Sequence, residues 1–161
     1  MTIAIGDKLP DATLIATGDK PEAVKMSDKV GGRKVVIFGL PGAFSGTCTT
    51  AHVPSFLRNM DKLKDKGVDE VICVSANDFF VMTAWDESTG AGKGGITMLA
   101  DGTSEFTKAI GMDFTAPPVG FVDRSKRYTM VVEDGIVTVL NAEDSPGECS
   151  ISAAETLLDM I

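Results

Sequence analysis

Apolar spacing along the chain switches between two periods, and the switches place the elements. Lys34-Val35-Val36-Ile37-Phe38-Gly39-Leu40 is a near-continuous apolar run of strand length, which predicts a central strand covered on both faces. Past residue 48, Val53, Phe56, Leu57, Met60 and Leu63 fall at i, i+3, i+4, i+7 and i+10, one face of a helix. That helix is expected to run to about Lys66 and stop at Gly67. Pro54 sits inside it and is expected to kink it, because proline lacks an N–H and crowds the preceding turn.

Val68–Ser75 reads as a second buried strand, containing Cys73. Asn77-Asp78 then caps a helix through Phe80, Val81, Ala84 and Trp85. Ile96–Ala100 is a third strand, turned by Asp101-Gly102, and Phe106, Ala109 and Ile110 mark a short helix stopped at Gly111. Ala116-Pro117-Pro118 reads as an extended connection. Tyr128–Glu133 and Ile136–Leu140 are strands joined by Asp134-Gly135, a type I′ hairpin signal. After the Ser145-Pro146-Gly147 turn, Ser152 and Glu155 form a capping box for a C-terminal helix with Ala154, Leu157, Leu158 and Ile161 on its apolar face. Upstream of the first strand, Thr13–Ala16 and Val24–Met26 read as small strands or a hairpin.

Strand and helix alternate and then give way to a hairpin. This predicts an α/β fold with a mixed central sheet flanked by helices, preceded by an N-terminal β extension. No repeat or linker interrupts the pattern, so one domain spanning residues 1–161 is expected.

Charge narrows the partners. The net charge is −8 and the longest basic cluster is Arg124-Ser125-Lys126-Arg127, which argues against nucleic acid and anionic membrane. No apolar run approaches membrane-spanning length and no signal pattern opens the chain. Three widely spaced cysteines do not form a secreted disulfide framework, so a reducing, cytoplasmic location is expected.

The chemistry concentrates in Pro41-Gly42-Ala43-Phe44-Ser45-Gly46-Thr47-Cys48, a strand-to-helix turn. Ser45 as N-cap puts Cys48 at the third helical position. Unpaired N–H groups and the helix dipole there favour thiolate over thiol, so Cys48 is a candidate nucleophile. Arg124 and Arg127 can supply a fixed positive charge, or can be a solvated basic strand end. His52, four residues after Cys48, can be a base, half of a metal pair, or a packed and hydrogen-bonded core residue. It is the only histidine and there is no Cys-x-x-Cys, so neither a metal nor a cofactor is expected, and dithiol chemistry of that spacing is excluded. Gly90-Ala91-Gly92-Lys93-Gly94-Gly95 lacks the spacing of a phosphate-binding loop and reads as a flexible loop. What remains is single-thiolate redox chemistry, in which a thiolate attacks a peroxide oxygen and becomes a sulfenic acid.

Residues 41–48 resemble the peroxiredoxin signature of proline, three residues, threonine or serine, two residues, cysteine. Pro-Gly-Ala-Phe and the following His52-Val53-Pro54 resemble the type-five, plant type II, atypical two-cysteine subfamily. Gly6-Asp7-Lys8-Leu9-Pro10, Val74-Ser75-Ala76-Asn77-Asp78 with Trp85, Leu99-Ala100-Asp101-Gly102, Glu105–Ala109, and Arg124–Tyr128 with Val132–Gly135 extend the likeness over nearly the whole chain.

The resemblance implies a thioredoxin-like fold and thiol-dependent reduction of hydrogen peroxide and alkyl hydroperoxides. It makes Cys48 the peroxidatic cysteine. Ser45 would bond the peroxide, Pro41 would shield the pocket from water, and Arg127, ahead of Arg124, would fix the thiolate and polarise the peroxide. Ser45-Gly46 stands where relatives often have Thr-Pro, a small departure that keeps the hydroxyl. Cys149 stands near the place of a resolving cysteine, although its turn is expected to lie remote from Cys48, while Cys73 reads as buried and inert. Thioredoxin, glutaredoxin or glutathione are the implied reductants, and a homodimer the implied assembly. Phe44 and Phe121 suit an alkyl group. A redox sensor or relay using the same cysteine is the alternative, and sustained turnover separates the two.

Overall fold

A computed structural model describes residues 1–161. In chain order the elements are β1 (Thr13–Ala16), β2 (Glu22–Lys25), α1 (Met26–Val30), β3 (Lys34–Leu40), α2 (Val53–Asp65), β4 (Glu70–Ser75), α3 (Phe79–Thr89) and β5 (Ile96–Ala100). There follow α4 (Glu105–Ala109), β6 (Asp113–Ala116), β7 (Phe121–Ser125), β8 (Tyr128–Glu133), β9 (Ile136–Ala142) and α5 (Ala154–Leu158). Seven strands form one sheet in the order β2-β1-β5-β4-β3-β8-β9. The two parallel pairs, β3–β4 and β4–β5, occupy the middle, and all other pairs are antiparallel. This is the mixed sheet of the thioredoxin-like fold, with the β1–β2 hairpin as its N-terminal extension.

Side chains alternate across each strand, so the sheet buries two separate apolar layers. Val36, Phe38 and Leu40 of β3 join Cys73 of β4 under α2 and α3, where Phe56 and Trp85 sit. Val35 and Ile37 face the opposite layer with Ile72, Val74, Tyr128 and Met130. Phe38 and Phe56 stack with centroids 4.2 Å apart, which seats α2 on the sheet. Gly39 lies opposite Tyr128 across the β3–β8 ladder, and a Cβ there would collide with the Tyr128 ring.

Local signals held where short-range chemistry decides. Asp78 caps α3 through its carboxylate and the Val81 N–H, and Asp134 and Gly135 both take positive φ in the β8–β9 turn, as type I′ requires. Three expectations are corrected. The segment around Pro117-Pro118 is not an extended link: β6 and β7 pair as a second, two-stranded sheet around a 3₁₀ turn at Pro117–Val119. The glycine-rich stretch 90–95 is a hydrogen-bonded turn, fastened by the Asp86 carboxylate, which accepts the Gly92 N–H at 2.7 Å. The Ser152–Glu155 capping box does not form. Ala153 is the N-cap of α5, Ser152 bonds Glu143, and Glu155 pairs with Arg58.

Candidate active site

β3 delivers the chain to Pro41, and a tight turn reverses it into the helix that leads to α2. Gly42 C=O accepts both the Ser45 N–H at 3.3 Å and the Ser45 hydroxyl at 2.7 Å. Phe44 takes the left-handed conformation at φ 63, a costly one for a phenylalanine. Helical backbone starts at Gly46, so Cys48 is its third residue, as the sequence suggests. The mechanism of that start differs from expectation. The Ser45 hydroxyl points back to Gly42 and caps no N–H.

Cys48–His52 is a π-helical turn, closed by the Val53 N–H on the Cys48 carbonyl, and Pro54 is the second residue of α2 after it. A proline donates nothing and its ring presses on the carbonyl four residues back. The wider turn makes room for that ring, so the proline is accommodated by a π-helical turn just upstream of it, at the start of α2 and not in its interior. Cys48 and His52 both end with no solvent exposure beneath the helix start.

The partner of the sulfur is remote in sequence but comes from the neighbouring strand: β8 runs antiparallel to β3, so its start lies beside the end of β3. Tyr128, Met130 and Val132 face one layer, so Arg127 and Thr129 face the other, toward Cys48. Arg127 is 1% exposed, and each of its three guanidinium nitrogens makes at least one hydrogen bond. Nη2 donates to Cys48 Sγ at 3.1 Å, Nη1 donates to His52 Nδ1 at 3.0 Å, and Nε and Nη2 donate to the Pro146 carbonyl at 3.2 and 2.9 Å.

Arginine can only donate, so His52 Nδ1 must accept and Nε2 carries the proton, which it gives to the Ser152 carbonyl at 3.1 Å. The Thr129 hydroxyl donates to the same carbonyl. Burial first, and the Arg127 charge second, push the His52 pKa down to about 3, so the ring is neutral in the folded protein. His52 is therefore a fixed acceptor that orients the guanidinium.

A pocket of about 250 Å³ reaches Arg127 and is lined by residues that include Pro41, Ser45, Phe121 and Pro146; Cys48, with no solvent exposure, lies behind this lining. Pro41, Ser45 and Arg127, three of the candidates, thus share one wall system. Arg124 lies on β7, outside the inner contacts; it donates to the Pro41 carbonyl at 3.2 Å and sits 4.9 Å over the Phe121 ring. Phe44 projects to solvent, 55% exposed, and does not line the pocket.

The turn after residue 145 is adjacent to the site, contrary to expectation. Its Pro146 carbonyl holds Arg127 and its Gly147 carbonyl accepts the Thr47 hydroxyl at 2.9 Å. Cys149 is half-buried on that turn, and burial raises its thiol pKa. Cys73 is fully buried beside Phe38 on the neighbouring strand, and burial, then the nearby Cys48, push its thiol well above the ordinary range.

Sequence reasoning missed the parts of the site that are carbonyls and second partners. Thr129 had a usable signal, two positions after Arg127 at the start of β8. Nothing local marks the Pro146 and Ser152 carbonyls.

The chain is similar to known proteins along nearly its whole length. The Redoxin family matches residues 4–158. The chain is 46% identical to "Peroxiredoxin-2E-2, chloroplastic" of Oryza sativa subsp. japonica, over 98% of the chain and 72% of the relative. It is 40% identical to "Peroxiredoxin-2B" of Arabidopsis thaliana, over 97% and 96%. Among solved structures, reduced Prx3 in complex with H2O2 from Vibrio vulnificus superposes with TM-score 0.91 at 43% identity, covering 99% of this chain and 96% of that one.

Proposed function

The chain belongs to the peroxiredoxin family of redoxins, and from that premise we propose that Cys48 is its peroxidatic residue and Arg127 the group that directs it. The protein is a thiol-dependent peroxidase, an oxidoreductase. The observation that carries the residue assignment is the 3.1 Å contact from Arg127 Nη2 to Cys48 Sγ.

The Cys48 thiolate attacks the terminal oxygen of the peroxide. An S–O bond forms, the O–O bond breaks, and the leaving hydroxide or alkoxide takes a proton from solvent. Sulfur loses two electrons and becomes a sulfenic acid. The Arg127 guanidinium, already beside the sulfur, stabilises charge building on the peroxide oxygens. Ser45 gives its proton to Gly42, which leaves its lone pairs free to accept a peroxide hydrogen. Pro41 forms the wall that keeps water from the reacting atoms.

A thiol donor then removes the oxygen as water. Thioredoxin, glutaredoxin and glutathione are the candidate reductants. Cys149 serves as resolving thiol in this reading, supported by its partial exposure on the turn that borders Arg127. Hydrogen peroxide and organic hydroperoxides are the proposed substrates; Phe121 in the pocket wall supports an alkyl group. A homodimer is supported by Phe44, Phe80, Val119 and Val122, all exposed apolar residues. Three free thiols support a reducing, cytoplasmic location.

A steady-state peroxidase assay with each of the three reductants, with Cys48→Ser as the control, tests the assignment. Turnover in the wild type and none in the variant is expected. Turnover that survives Cys48→Ser removes Cys48 from the mechanism. Mass spectrometry after one equivalent of peroxide tests Cys149: a Cys48–Cys149 link supports resolution, and a persistent sulfenic acid or glutathione adduct discards it.

A further inference from the structure

Glu143 directly follows β9 and is 9% exposed, yet no cation pairs with it. A carboxylate withdrawn from water without a counter-charge is expensive unless hydrogen bonds replace its hydration. Glu143 has that replacement from two serines. Oε2 accepts the Ser150 N–H at 2.7 Å, the Ser152 N–H at 3.0 Å and the Ser152 hydroxyl at 2.6 Å, and Oε1 accepts the Ser150 hydroxyl at 3.2 Å. Burial works against the charge, and these donors outweigh it, leaving the carboxyl below its usual range.

The consequence reaches the sulfur by two routes. The carboxylate ties residue 143 to residues 150 and 152, so it closes the loop whose Pro146 carbonyl holds Arg127. It also fixes Ser152, whose carbonyl accepts the His52 Nε2–H and so sets the ring that receives Arg127 Nη1. At its own backbone, the Glu143 N–H donates to the Arg127 carbonyl at 2.9 Å.

We propose that Glu143 is a positioning residue for Arg127, acting through Ser152 and His52 and through the loop it closes, so that the guanidinium stays aimed at the Cys48 sulfur. The inference rests on the assignment of Cys48 and Arg127 above. Glu143 touches neither peroxide nor sulfur. Its work is to hold an acceptor, the neutral His52 ring, in one tautomer and one orientation.

The test is Glu143→Gln in the full chain, which keeps the size but turns an amide donor toward serine donors. Two quantities are read: the rate of Cys48 oxidation by hydrogen peroxide, from quenched alkylation and mass spectrometry, and the His52 tautomer, from 15N NMR of the chain's only histidine. Oxidation is expected to fall about tenfold, since small displacements of a catalytic group cost this much or more. The single Nε2–H tautomer is expected to give way to a mixture. Ser152→Ala removes one hydroxyl and keeps the N–H; a fall of about threefold with the same change at His52 is expected, consistent with loss of one of several bonds. It carries the test if Glu143→Gln does not fold.

A folded variant that reacts at the wild-type rate overturns the proposal, and so does a slowed one with His52 unchanged. Arg127→Lys in the same assay separates the premise. If that variant also reacts at the wild-type rate, the assignment of Arg127 fails. If it alone is slow, only the role of Glu143 fails.

Discussion

Arg124 and Arg127 stand three residues apart on the same stretch of chain, and the fold sends them into opposite circumstances. Arg127 is withdrawn from water with all three guanidinium nitrogens engaged, on sulfur, histidine nitrogen and carbonyl. Arg124 stays partly in solvent, lies over Phe121 and steadies the Pro41 carbonyl. A buried guanidinium acts as a fixed electrostatic partner because little solvent screens it and it need not reorganise. A partly solvated one contributes mainly contact. In the proposed mechanism both serve the pocket, one by directing charge and the other by bracing its wall.

The contrast breaks most visibly at Arg127. Arg127→Lys is expected to slow Cys48 oxidation by about 10²–10³-fold, the usual cost of a lost preorganised donor, because an ammonium cannot reach sulfur, His52 and Pro146 together. Stopped-flow oxidation against a peroxide series measures it, and a loss below tenfold removes the guanidinium as the directing group.

The buried side of the contrast also has an acid limit. His52 titrates near 6.5 when unfolded and near 3 when folded, so the unfolded chain binds the extra proton between those values. Stability is therefore full above pH 6.5 and declines as pH falls, by up to about 1.4 kcal/mol per pH unit. The lowered carboxyls of Glu70 and Glu143 act with the same sign but further into acid. Urea melts between pH 6.5 and 4.5 isolate the histidine, and His52→Asn is expected to flatten the slope there. An equal slope in the variant assigns the acid lability elsewhere.

At the rim the expected effects shrink. Arg124→Ala should cost about threefold in oxidation rate, in line with the small worth of partly exposed charge contacts. If it matches the loss at Arg127, burial is not what separates the two arginines. Ser45→Thr is the mildest change, with a gain of no more than about twofold expected, since the hydroxyl is kept and only its rotamer freedom narrows. A gain above tenfold in the same kinetics would show serine to be a poor acceptor.

How much of this is legible in the sequence follows the range of each interaction. β3, β4, β5 and the β8–β9 hairpin stand out because runs and alternation are local. The β6–β7 pair is hidden because its strands are short and mixed, and Pro117-Pro118 reads as a break although it forms the turn. Cys48, Ser45 and Pro41 are found in one motif, and Arg127 by family likeness. His52 is visible as a neighbour of Cys48, but its partner lies 75 residues away in sequence. Ser152 misleads for the same reason: a capping pattern is present, and a carboxylate nine residues upstream takes the hydroxyl first.

The π-turn over Cys48–His52 holds one residue more than a regular helical turn would. Removing any single residue there would leave a smoother helix, yet it would swing the side chains before the deletion by about 100° relative to α2. The sulfur would then leave the guanidinium while the protein still folded. Divergence at these five positions is therefore confined to exchanges of one side chain for another; indels are closed to it, and a library that shortens or lengthens the segment should return folded but inert proteins.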